Sequence, residues 1–82
     1  MIDLKNNTPK NQRLEVWNGN YQGYDVEVYQ KRTPFSYVSK WFYRIKKENF
    51  IFDLFSENKH GYQEKVSASG GAYQHINKLL EK

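Results

Sequence analysis

Two alternating runs separated by two residues constrain this chain more than any other feature. Over residues 38–47 and 50–55 it reads VSKWFYRIKK and FIFDLF, with a polar turn around Glu48 and Asn49 between them. Side chains on a strand point to opposite faces in turn, so Trp41, Tyr43 and Ile45 share one face and Phe42, Arg44 and Lys46 the other. On the return run Phe50, Phe52 and Leu54 alternate against Ile51, Asp53 and Phe55. A period of two on both sides of a short polar turn predicts an antiparallel hairpin. Its expected core face is Trp41, Tyr43, Ile45, Phe50, Phe52 and Leu54, and Asp53 is expected to pair with Arg44 across it.

A second hairpin is expected upstream, where RLEVW and YDVEVYQK alternate on either side of the Gly- and Asn-rich connection NGNYQG. In its second run Tyr24, Val26 and Val28 share one face, while Asp25, Glu27 and Tyr29 share the other. Residues 1–12 are mostly polar and follow neither period, so they read as a flexible N-terminal arm that only Ile2 and Leu4 could anchor. KRTPFSY reads as a loop, because Pro34 has no amide hydrogen to give a ladder.

After the polar loop SENKHGYQEK, the stretch SASGGAYQHINKLLEK places Ala72, Ile76, Leu79 and Leu80 at helical spacing, with Tyr73 beside them. Ser69 is the expected N-cap and Ser67 the alternative, with Gly70 and Gly71 weakening the first turn. An apolar helix stripe and an aromatic sheet face each need a cover, so they pack together. The expected fold is α+β: one small domain over residues 13–82, an antiparallel meander of three to four strands with a C-terminal helix on one face.

Eighty-two residues form one domain with a small core, and the seven Tyr, five Phe and two Trp supply most of its buried area. There is no cysteine, hence no disulfide framework and no thiolate chemistry. No stretch approaches the roughly eighteen apolar residues of a membrane span, and residues 1–12 hold no signal-peptide core, which together predict a cytoplasmic protein. Heavy use of Lys, Asn, Tyr and Ile points to an AT-rich bacterial or phage genome. His60 and His75 lack a third ligand at metal-site spacing, so no metal or cofactor is expected. Ser67, Ser69, Gly70 and Gly71 suit an ordinary helix cap better than an anion nest, since no strand-loop-Lys context surrounds them. The carboxylates are scattered, with no converging pair for acid/base chemistry, so the chain reads as a non-enzyme.

The net charge of +4 comes from residues 31–47, which hold Lys31, Arg32, Lys40, Arg44, Lys46 and Lys47 and no acid, while the segments on either side each sum to about −1. If Trp41, Tyr43 and Ile45 face the helix, then Phe42, Arg44 and Lys46 face outward, with Tyr29 and Lys31 joining them from the neighbouring strand. Such a surface suits single-stranded nucleic acid, whose bases stack on rings while cations neutralise phosphates. Arg32, Lys40 and Lys47 would make phosphate contacts at the rim.

The order of features in YDVEVYQK, SKWFYRIK and GYQEK…INKLL resembles the small YegP-like domains of unknown function. Val26, Val28 and Tyr29 stand for that family's first strand, Trp41, Tyr43 and Arg44 for its W-x-W/Y-R strand, and Gly61, Tyr62 and Lys65 for its G-Y-x-x-K stretch. The resemblance covers about residues 24–80 and implies a sheet-plus-helix unit without lending a function.

The leading expectation is therefore a small binding module that contacts nucleic acid through Tyr29, Lys31, Arg32, Lys40, Phe42, Arg44, Lys46 and Lys47. The alternative is an interaction or inhibitor protein of phage or mobile-element type that binds a host protein, with exposed Tyr29, Tyr37, Phe42 and Phe55 beside Arg44 as its contact residues. No membrane partner is expected, and the chain reads as a monomer or weak homodimer, self-pairing through an edge strand at residues 13–17.

Overall fold

The computed structural model describes residues 2–34 and 37–81; Met1, Lys82, Phe35 and Ser36 lie outside the described residues, the last two within the stretch KRTPFSY expected as a loop. Among those described, five strands form one antiparallel sheet: β1 (Lys5–Asn6), β2 (Val16–Tyr21), β3 (Tyr24–Arg32), β4 (Ser39–Lys47) and β5 (Phe50–Asp53), in the order β1-β2-β3-β4-β5. A short helix, α1 (Leu54–Glu57), follows β5, and α2 (Lys65–Leu80) closes the chain. The architecture is the expected α+β meander with a C-terminal helix, enlarged by one strand.

That strand comes from the segment read as an arm. Lys5 and Asn6 pair with Asn18 and Trp17, and Ile2 is buried. Gly19 makes room for this crossing, since a Cβ there would stand 3.1 Å from Leu4 Cδ2 and 3.2 Å from Ile2 Cγ2. Residues 13–17 are therefore no edge: Val16 and Trp17 belong to β2, which has strands on both sides.

The stretch NGNY, expected in the connection, is ladder instead, with Asn18, Gly19, Asn20 and Tyr21 facing Glu27, Val26, Asp25 and Tyr24. Only Gln22 and Gly23 turn, both in left-handed backbone at φ 53° and 83°, the geometry that matches the twist of a two-residue hairpin. The β4–β5 turn is equally tight and places Glu48 at φ 53°.

On one face α2 covers Val26, Val28, Tyr43 and Ile45, which are almost fully buried. The helix begins at Lys65, with Glu64 extended before it, so neither Ser69 nor Ser67 is the cap. Ser69 is instead a buried mid-helix residue beside Ala68 and Ala72, and these small side chains let the helix lie close to the sheet. Gly71 belongs to the same surface, because a Cβ there would overlap the Tyr62 hydroxyl. Two contacts pin the helix to β2: the Lys65 ammonium lies 3.4 Å over the Trp17 ring, and the Tyr21 hydroxyl donates to Asn77 Oδ1 at 2.8 Å. Of the expected core face, Tyr43, Ile45 and Leu54 are buried and Trp41 and Phe52 half-buried. Phe50 is 42% exposed, because β5 is an edge strand, which α2 meets at Phe52 through His75.

Candidate nucleic-acid interface

The sheet face opposite α2 is where the sequence places a basic, aromatic surface, and register divides it into four tiers. Across β3 and β4, Lys31 faces Lys40, Tyr29 faces Phe42, Glu27 faces Arg44 and Asp25 faces Lys46. β5 extends the last two tiers by setting Asp53 beside Arg44 and Ile51 beside Lys46.

The aromatic tier is closed. Phe42 is fully buried and Tyr29 9% exposed, which corrects the expectation that both rings stand open. Their cover is α1 and the segment after it. Asp53 ends β5 by accepting the Phe55 amide at Oδ1, a side-chain cap that turns the chain into helix and carries Phe55 over Phe42 at 4.7 Å between ring centroids. Phe55 is therefore half-buried rather than a contact residue. Gly61 then packs flat on Phe42, where a Cβ would come 2.6 Å from Cζ. Its φ of +65° lets the chain return to pair Trp41 with Tyr62 through backbone bonds of 2.7 and 2.8 Å.

The next tier is charge-compensated. The Arg44 guanidinium reaches Asp53 Oδ2 at 2.8 Å, as expected, and Glu27 Oε1 at 3.1 Å. Tyr29 donates to Asp53 Oδ1 at 2.7 Å. Burial opposes charge on Asp53, but the bonds from Tyr29, Arg44 and the Phe55 amide outweigh it and hold its pKa below the usual carboxylate value. Desolvation, reinforced by Asp53, pushes the Tyr29 phenol well up. Lys46 stands beside Asp25 and Ile51, so this half of the face balances its cations with acids. Lys47 faces the other way, with its ammonium 4.9 Å over the Tyr24 ring.

The remaining tier keeps its charge. Lys31 and Lys40 are direct cross-strand partners at the loop end of the β3–β4 hairpin, and Arg32 is exposed next to them. Among the described residues none of the three forms an ion pair; Lys31 lies 4.1 Å over the Phe55 ring. Tyr37, on the connecting loop, is 95% exposed. Of the eight residues singled out in the sequence, the structure thus brings Lys31, Arg32 and Lys40 to one open end and leaves Arg44, Lys46 and Lys47 elsewhere. Tyr37, named in the sequence only as a protein-contact residue, joins the cations.

A cleft of about 460 Å³ lies between α2 and β4, lined by Tyr43, Tyr62, Gln74, His75 and Lys78. His75 is half-buried, not a plain surface residue: its ring lies 4.3 Å from Phe52, and its Nδ1 shares a hydrogen bond with the Tyr43 hydroxyl at 3.2 Å. Burial lowers the His75 pKa, which keeps the ring neutral. Among the described residues no group of three His, Cys, Asp or Glu side chains could hold a metal ion, and no helix is long and apolar enough to cross a membrane. No family model, curated protein or solved structure matches the chain.

Proposed function

We propose that the chain is a small non-enzymatic binding module that contacts single-stranded nucleic acid through the loop end of the β3–β4 hairpin. The support is the direct opposition of Lys31 and Lys40. Like charges placed opposite each other on a sheet destabilise it, and a phosphate between them would remove the repulsion. Arg32 supplies a third cation, and the exposed Tyr37 ring offers a face on which a base can stack. The middle of the sheet is a poor candidate, because Arg44 is already held by two carboxylates.

The same end would also suit an acidic protein surface, since exposed Tyr37 and Arg32 are residue types enriched at interfaces. Fluorescence anisotropy with labelled single-stranded oligonucleotides separates the two. Three phosphate contacts on a single strand give a salt slope of about −2, so affinity should fall roughly twentyfold for a fourfold rise in salt. Lys40→Glu or Arg32→Glu should weaken binding further, whereas Lys47→Glu should change it little. Absence of oligonucleotide binding at low salt would exclude this function.

A further inference from the structure

The two edges of the sheet are built differently. β1 has two residues, Lys5 and Asn6, and a lysine on so short a strand blunts it against pairing. β5 is longer and reads Phe-Ile-Phe-Asp, with Ile51 60% and Phe50 42% exposed. Its one charge, Asp53, is engaged by Arg44 and Tyr29. No described strand pairs with its outer side.

We infer that β5 pairs with β5 of a second copy of this chain, extending the meander into a continuous antiparallel sheet across a two-fold axis at Ile51. Alternation selects this occupant and this register. Phe50 and Phe52 lie on the α2 face, and Ile51 and Asp53 on the opposite face. A two-fold axis normal to the sheet keeps faces matched, so residues can meet only where their numbers sum to an even value. Centred on Ile51, the pairing sets Ile51 against its own copy and Phe50 against Phe52 of the second copy, with Asn49 opposite Asp53. Apolar groups meet apolar groups on both faces. Centred one residue on, at Phe52, it would set Ile51 against Asp53 and Phe50 against Leu54, which already belongs to α1.

Charge permits the seam although each copy is cationic. The flanking Lys46 side chains would stand three strand spacings apart, about 14 Å, beyond the Debye length at physiological salt. Four residues per copy make a small interface of the weak, transient class. The pairing does not depend on the nucleic-acid function, since it uses the edge away from Lys31 and Lys40.

Sedimentation velocity on the full chain, from micromolar to millimolar protein, tests it, with NMR amide shifts followed over the same range. The expected result is a concentration-dependent dimer whose shifts change at residues 49–53 and not at 5–6. Ile51→Lys should abolish the dimer and leave the circular dichroism spectrum unchanged, and Ile51→Thr should weaken it partially. A monomer at millimolar concentration, a dimer unaffected by Ile51→Lys, or shift changes centred elsewhere would overturn the inference. So would a monomer that takes up an unrelated extended peptide along β5.

Discussion

Tyr29 on β3 donates its hydroxyl to Asp53 on β5 at 2.7 Å, reaching diagonally across β4. The bond joins strands that are not neighbours and fixes the residue that ends β5 and caps α1. Tyr29→Phe should cost about 1.5–3 kcal/mol, the usual worth of a hydrogen bond to a charged group, read from urea unfolding. It should also raise the Asp53 pKa, which side-chain carboxyl NMR would follow. An unchanged Asp53 titration would show that Arg44 and the Phe55 amide hold the carboxylate without Tyr29.

Acid should weaken the fold in two stages. Burial holds His75 below its ordinary value, so as pH falls through about 6.5 the unfolded chain takes up that proton first and gains stability relative to the native state. Asp53 is depressed in the folded state, so its contribution is complete above pH 4 and is lost as pH falls below about 4 and through its native pKa. Thermal melts from pH 7 to pH 3 should show both steps; Asp53→Asn should remove the lower one and His75→Gln the upper.

Alkali should act through the raised phenols, Tyr29 and Tyr43. Burial, helped by the neighbouring Tyr62 and Glu57, pushes the Tyr43 phenol up to about 12. A folded pKa above the unfolded value of about 10 means that stability is intact below pH 10 and falls as pH rises towards 12, because the unfolded chain ionises first. Urea midpoints measured at successive pH values should decline over that interval, and less so in Tyr43→Phe.

Adjacent glycines in α2 should respond in opposite directions. A Cβ at Gly70 meets nothing within 4 Å, so Gly70→Ala should stabilise by about 0.5–1 kcal/mol through helix propensity. At Gly71 the added methyl runs into Tyr62 and comes within 3.1 Å of Tyr43, so Gly71→Ala should destabilise by about 1–3 kcal/mol. Paired thermal melts decide it; the same sign for both would mean that Tyr62 can move aside.

Reversing one member of the opposed lysines should separate stability from binding. Lys40→Glu replaces a like-charge pair with an attractive one, worth about 0.2–1 kcal/mol, while it weakens oligonucleotide binding. A variant that melts higher yet binds worse would mark the lysine pair as kept at the expense of stability.

Much of this was readable from alternation alone. Once Trp41, Tyr43 and Ile45 are placed on one face, period two and a tight turn require Arg44 to lie beside Asp53, as it does. The burial of Phe42 was hidden because its cover is α1, four residues long and without a period of its own; DLF continues the strand pattern of FIF, and only Asp53 as a cap signals the turn into helix. Ser69 misled for a related reason: small residues that resemble a cap serve here to bring α2 close to Tyr62 and Tyr43. β1 contributes only Lys5 and Asn6 to the pairing, too few residues for any hydrophobic pattern to register.

The bond between Tyr21 and Asn77 closes a span of 56 residues, far longer than any hairpin in the meander. Strands β2 to β5 can pair in turn as the chain leaves the ribosome, since each meets the one just made. Their aromatic face stays uncovered until residues 65–80 have followed. A chain stalled before Ile76 would present a nearly complete sheet with an adhesive side and an unguarded edge, the kind of species that aggregates or is handed to chaperones. Helix α2 thus ends the exposure of the sheet's aromatic face during synthesis as well as packing on it.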